Sequence, residues 1–150
     1  MGCVTLEMPR RQSVAAGDAA RAALIETTAA DPGVVAAYLF GSLARGTAGP
    51  LSDVDVALLI SDAREADAIC ERTMDALCRR LRTARVEVIS LSAAPLPLRY
   101  RVVRDGALVA CRDAAAVERF VTDTVLQYLD FKPLRDRAFE VMRDAILHHG

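Results

Sequence analysis

The sequence has little of what zinc, thiol or histidine chemistry needs. It holds two histidines, His148 and His149, both at its very end, and four cysteines: Cys3, Cys70, Cys78 and Cys111. No two cysteines form a C-x-x-C pair, so zinc-site spacing is absent, and no Ser-His-Asp or Cys-His pairing can be assembled. A disulfide framework is not expected either, and a reduced cytoplasmic setting fits best. No apolar run approaches the ~18 residues needed to span a bilayer. The opening stretch MGCVTLEMPRRQ has no apolar segment long enough for a secretory signal. A soluble protein with no membrane partner is the expectation. Strong charge is missing as well. The formal net charge is -1, so no basic field gathers nucleic acid, and no direct nucleic-acid contact is expected.

What is present is apolar material for a core. Hydrophobic residues make up 53% of the 150 and charged residues 26%, which excludes a disordered chain. The length suits one domain, expected over residues 13–150 behind a flexible tail of residues 1–12. Residues 14–30 are alanine-rich and read as a helix, stopped by Asp31-Pro32-Gly33. Residues 34–40 and 54–60 are short continuous apolar runs, the pattern of strands buried on both faces. Ala66 to Leu81 carries one helical stripe (66, 69, 70, 74, 77, 78, 81) with its charges largely off it, and predicts a helix. Residues 85–91 read as a third strand with one charge, Glu87. Residues 94–97 read as a linker, Leu98 to Val103 as a short helix and Gly106 to Cys111 as a fourth strand. Two further helical stripes follow, one from Val117 to Tyr128 and one from Leu134 to Ile146. Lys132-Pro133 is expected to break the helix between them. The fold class expected is α/β (α+β): a small mixed sheet flanked by helices.

The chemistry gathers between the first two strands. The first ends at Gly41-Ser42, where a short helix can begin with Ser42 as its N-cap. Glycine permits close approach of a phosphate, backbone N–H groups at a helix start favour an anion, and Arg45 adds a fixed positive charge. After ten intervening residues, Ser42 is followed by Asp53 and then Asp55, which share one strand face. Two carboxylates so close repel unless a cation neutralises them, and Mg²⁺ also holds triphosphate oxygens. Glu87 completes a set of three. It is a candidate ligand for a second metal, or the group that takes the proton from an attacking hydroxyl. Asp53, Asp55 and Glu87 are therefore the candidate catalytic and metal residues. Gly41, Ser42 and Arg45 are the candidate phosphate contacts. In-line displacement at the α-phosphorus of a nucleotide uses all of these parts.

Phe40-Gly41-Ser42-Leu43-Ala44-Arg45-Gly46, followed by Ser52-Asp53-Val54-Asp55-Val56, resembles the signature of the polymerase-β-like nucleotidyltransferases. Within them it most resembles the minimal nucleotidyltransferase antitoxins, the MntA group. Val86-Glu87-Val88-Ile89 and the stretch from Leu98 to Gly106 fit as well, and the similarity spans about residues 34–111. The resemblance implies the polymerase-β-like fold, ATP as substrate and a two-metal Mg²⁺ site. It also implies transfer of AMP to a tyrosine of a HEPN-type RNase toxin, with which the protein forms a complex. One departure stands out. The third carboxylate is usually aspartate in this group and is Glu87 here, one methylene (about 1.5 Å) longer. Misplacement on the ~1 Å scale can cost ~100-fold in rate, although related antibiotic nucleotidyltransferases use glutamate at this position.

Two other functions share these parts. A small-molecule nucleotidyltransferase of the aminoglycoside type would need more C-terminal structure than the sequence offers. A binding-only antitoxin with a weakened site would not need the carboxylates. Outside the motif, Arg99, Arg101 and Arg104 read as a solvated face, Tyr100 and Tyr128 as packing residues, and Ser52 as a turn cap.

Overall fold

The computed structural model describes the backbone of residues 8–46 and 52–148, with side chains from residue 16 onward. In chain order the elements are α1 (Met8–Ala29), β1 (Val34–Phe40), α2 (Ser42–Arg45), β2 (Val54–Ile60), α3 (Ala66–Leu81), β3 (Val86–Ser90), α4 (Leu96–Asp105), β4 (Ala107–Cys111) and α5 (Ala114–His148). A single 3-10 turn, Ala63–Glu65, leads into α3.

The four strands form one mixed sheet in the order β3-β2-β1-β4. β1 runs antiparallel to both β2 and β4, whereas β2 and β3 are parallel and joined through α3. Parallel strands need such a crossover, because a tight hairpin cannot reverse the chain twice. Helices cover both faces, and this is why β1 and β2 are apolar throughout rather than alternating. On one face Val54, Val56, Leu58 and Ile60 of β2 pack with Leu24 of α1 and with Ile69 and Leu77 of α3. On the other, Ala57 and Leu59 pack with Tyr38, Val102 of α4 and Val117 of α5. A register shift between Val34 and Ala36 changes the phase of β1. Val34, Ala37 and Leu39 thus share the α1–α3 face, and Ala36 and Tyr38 the opposite one.

The apolar runs and the α3 stripe lie where their periodicity puts them, and the mixed sheet flanked by helices is the expected fold class. Three boundaries differ. α1 begins at Met8, inside the stretch expected as a tail, while residues 1–7 lie outside those described. α4 begins at Leu96, so Pro97 occupies its first turn. There a proline costs no hydrogen bond, because those N–H groups have no helical partner anyway. α5 runs unbroken from Ala114 to His148 through Pro133. Pro133 removes one backbone donor, but Leu129, whose carbonyl loses that donor, is solvent-exposed, and water can take the place of the missing bond. Among the described residues no helix is long and apolar enough to cross a membrane.

Candidate active site

The site grows from the turn at the end of β1. Gly41 has φ 72° and ψ -151°, a region essentially closed to residues with a Cβ. A Cβ on Gly41 would also collide with a carboxylate oxygen of Asp55. The bare backbone therefore lets Asp55 lie directly against the turn. The Gly41 carbonyl accepts the Arg45 N–H at 3.2 Å and so closes α2. Ser42 is not the N-cap expected of it. Gly41 holds the cap position, and no side chain caps the helix. The cap must leave helical geometry, and glycine is the residue that reaches this conformation. The Ser42 hydroxyl is thereby released from a capping role.

Asp55 pairs with Phe40 of β1 across one ladder and with Glu87 of β3 across the other. Strand alternation puts Asp53, Asp55 and Glu87 on the sheet face that α4 and α5 cover. Gly41, Ser42, Arg45, Asp53 and Asp55 line one cleft of about 390 Å³, together with Phe40, Ser52, Arg101 and Asp105. Five of the six residues singled out in the sequence thus converge. Glu87 lies beside Asp55, is exposed and is not among the residues lining the cleft. The Asp55 carboxyl is held above the usual carboxylate range. Burial is the main cause, followed by repulsion from Glu87 and Asp53, and Arg45 works in the opposite direction.

This charge pattern calls for a cation. Among the described residues, however, no three acidic, histidine or cysteine side chains come together at metal-binding spacing. The cross-strand neighbour Glu87 stands to one side, while Asp53 and Asp55 share the cleft. Two hard carboxylates in one cleft nonetheless fit a Mg²⁺ ion, which is typically held by one or two carboxylates and by substrate phosphates.

Arg101 and Asp105 were not singled out as site residues in the sequence. They are four residues apart on α4, hence on one side of that helix, and both line the cleft. Asp105 receives two hydrogen bonds from Arg104, at 2.8 and 2.9 Å. The i, i+4 spacing was the available signal, but on a short helix it looks the same as a solvated charged face.

A family model described as polymerase beta, nucleotidyltransferase, matches residues 22–115. The chain belongs to this nucleotidyltransferase family. The matched span contains the turn, all three sequence carboxylates and α4. No curated protein matches the chain significantly in sequence. Several solved structures share its fold. A toxin–antitoxin complex with AMP-PNP aligns with a TM-score of 0.67 at 23% identity, covering 81% of this chain and 97% of that one. A mutant MntA–HpeT toxin–antitoxin complex, with two aspartates one residue apart changed to glutamate, aligns at 0.69 and 20%, covering 81% and 97%. The third is a tri-AMPylated HEPN toxin from Shewanella oneidensis in complex with its MNT antitoxin. It aligns at 0.66 and 20% identity, covering 84% of this chain and 98% of that one.

Proposed function

We propose that this nucleotidyltransferase transfers AMP from ATP to a tyrosine hydroxyl of a cognate HEPN-type RNase toxin, releasing pyrophosphate. The observation that carries the reading is the shared cleft: Gly41, Ser42 and Arg45 meet Asp53 and Asp55 in one cavity. The solved relatives support the choice of nucleotide and acceptor, since one complex holds AMP-PNP and another an AMPylated toxin. We take residues 13–150 as the catalytic unit, acting in the cytoplasm. The free thiols Cys70, Cys78 and Cys111 are compatible with that compartment.

In this reading the Gly41 turn, the Ser42 hydroxyl and the Arg45 guanidinium receive the β- and γ-phosphates. Asp53 and Asp55 hold Mg²⁺, which when bound offsets charge on the triphosphate and on the leaving pyrophosphate. The toxin hydroxyl attacks the α-phosphorus in line, and the bond from that phosphorus to the bridging oxygen breaks. Glu87, beside Asp55 but outside the cleft, takes the proton of the attacking hydroxyl. α5 supplies a surface for the toxin. Leu134, Val141, Met142 and Ile146 recur along its last turns, and each is at least 59% exposed. A macromolecular acceptor uses such a surface, whereas a small molecule does not.

The test is the intact mass of the toxin after incubation with this protein, ATP and Mg²⁺. One or more added AMP groups on tyrosine, absent with Asp53→Asn, are expected. An unmodified toxin bound in a stable complex would instead point to neutralisation by binding alone.

A further inference from the structure

We propose that Arg101 is a second triphosphate-binding side chain of this cleft, holding the phosphates together with Arg45. The proposal rests on the nucleotide reading above and adds a residue to it.

α4 carries three arginines, and the structure gives them three different situations. Arg104 is engaged twice: it holds Asp105 in a two-bond ion pair, and its guanidinium carbon lies 5.5 Å from the centroid of the Tyr100 ring. Arg99 is half-buried, and its Nε is enclosed without a hydrogen-bond partner. Only Arg101 of the three lines the cleft, and it is exposed. Among the described residues no ion pair or hydrogen bond occupies its guanidinium.

The charges of the cleft then sort into pairs. Asp105 is matched by Arg104 and is held below the usual carboxylate range, chiefly by the hydrogen bonds from Arg104, with Arg45 and Arg101 adding to the effect. Asp53 and Asp55 are left for a divalent cation. Arg45 from α2 and Arg101 from α4 are left as two cations with no carboxylate of their own, on different elements of one cavity. Triphosphate oxygens are the ligand chemistry that two such guanidinium groups recognise, each offering a planar fork of N–H donors.

The mounting of Arg101 is rigid. The next residue, Val102, is fully buried against the sheet. The preceding one, Tyr100, stacks on Tyr128 of α5 with ring centroids 3.8 Å apart and planes 5° from parallel. These contacts fix the backbone from which Arg101 projects, so the helix does not have to move for its guanidinium to meet a phosphate.

The experiment compares the full chain with Arg101→Gln and Arg101→Lys by titration calorimetry. The ligands are Mg²⁺·AMP-PNP and adenosine, with circular dichroism as the control for folding. Arg101→Gln is expected to weaken AMP-PNP binding about 10-fold or more, as for the loss of one charge-assisted contact. Adenosine binding should stay unchanged, and Arg101→Lys should recover part of the loss. Equal AMP-PNP affinity in wild type and Arg101→Gln overturns the role of Arg101 alone, provided that the wild type binds and Asp53→Asn still abolishes AMP transfer. A folded wild type that binds no AMP-PNP overturns this proposal and the nucleotide reading together.

Discussion

Two demands meet at Gly41: a backbone conformation open to glycine alone, and a carboxylate of Asp55 lying where a Cβ would stand. Gly41→Ala must therefore either rebuild the turn or push Asp55 away. Since ~1 Å misplacements cost ~100-fold, AMP transfer should fall by at least about that factor while the far-ultraviolet circular dichroism is kept. Near wild-type turnover would show that the turn does not set the position of Asp55. Asp55 itself illustrates a conflict between function and stability. Its folded pKa is raised above the unfolded value by burial and by two acidic neighbours. The stability this group contributes is therefore present below the unfolded pKa and lost as pH rises through the folded one. In EDTA at pH 7, Asp55→Asn should stabilise the fold by a few tenths of a kcal/mol to about 1 kcal/mol, a small gain because solvent still reaches and screens this half-buried carboxylate. The gain should vanish towards pH 3, where the native carboxyl is also neutral, and thermal melts at the two pH values check this. Arg82 shows strain of a simpler kind. It ends α3 in the left-handed region at φ 52°. Arg82→Gly relieves the Cβ contact at some cost in chain entropy. The expected net gain is about 0.5 kcal/mol in urea melts.

Elements were legible in the sequence wherever one period dominated. β1 and β2 are unbroken apolar runs between turn residues, and α3 has one stripe. Their ends were correspondingly easy to place. α5 was misread because a proline in the middle of a helix is a strong local signal, and tertiary exposure of the carbonyl it deprives is not written in the local sequence. The pinning of α1 was invisible for a related reason. Arg112, just beyond β4, donates to the carbonyls of Thr28, Ala29, Asp31 and Val34 at 3.2–3.4 Å. It thereby satisfies the end of α1 and fixes the approach to β1, a task normally left to a cap. Nothing near Arg112 in the sequence marks these acceptors, since they lie 78 to 84 residues earlier in the chain. Arg112→Ala should cost about 1 kcal/mol, a few charge-assisted bonds discounted for their partial exposure. Chemical denaturation measures the cost. An unchanged midpoint would mean that water replaces the guanidinium without loss.

At the scale of the molecule, the motif half of the site was readable and the helix half was not. Gly41, Ser42, Arg45, Asp53 and Asp55 sit on two adjacent strands and the turn between them, so spacing along the chain translates directly into spacing in the cleft. Arg101 and Asp105 arrive from α4, which the chain reaches only after crossing the sheet again. Their place depends on how α4 packs on β1 and α5. The same α5 that steadies α4 through Tyr128 continues beyond it with most of its charges on one side, Arg135 excepted, which donates to the Tyr128 hydroxyl. Lys132, Asp136, Arg137, Glu140, Arg143 and Asp144 share that side, and Leu134, Ala138, Val141, Met142, Ala145 and Ile146 share the other. An amphipathic helix stretch of this length gains little stability alone, because most helical stability comes from burying such a face. If the toxin covers it, Leu134→Glu combined with Met142→Glu should remove the complex on size-exclusion chromatography and AMP transfer with it, because the acceptor no longer docks. Binding of Mg²⁺·AMP-PNP should stay intact, since neither residue lines the cleft. A variant that still co-elutes with the toxin and still modifies it would separate the α5 face from substrate docking and move the docking surface to another face of the domain.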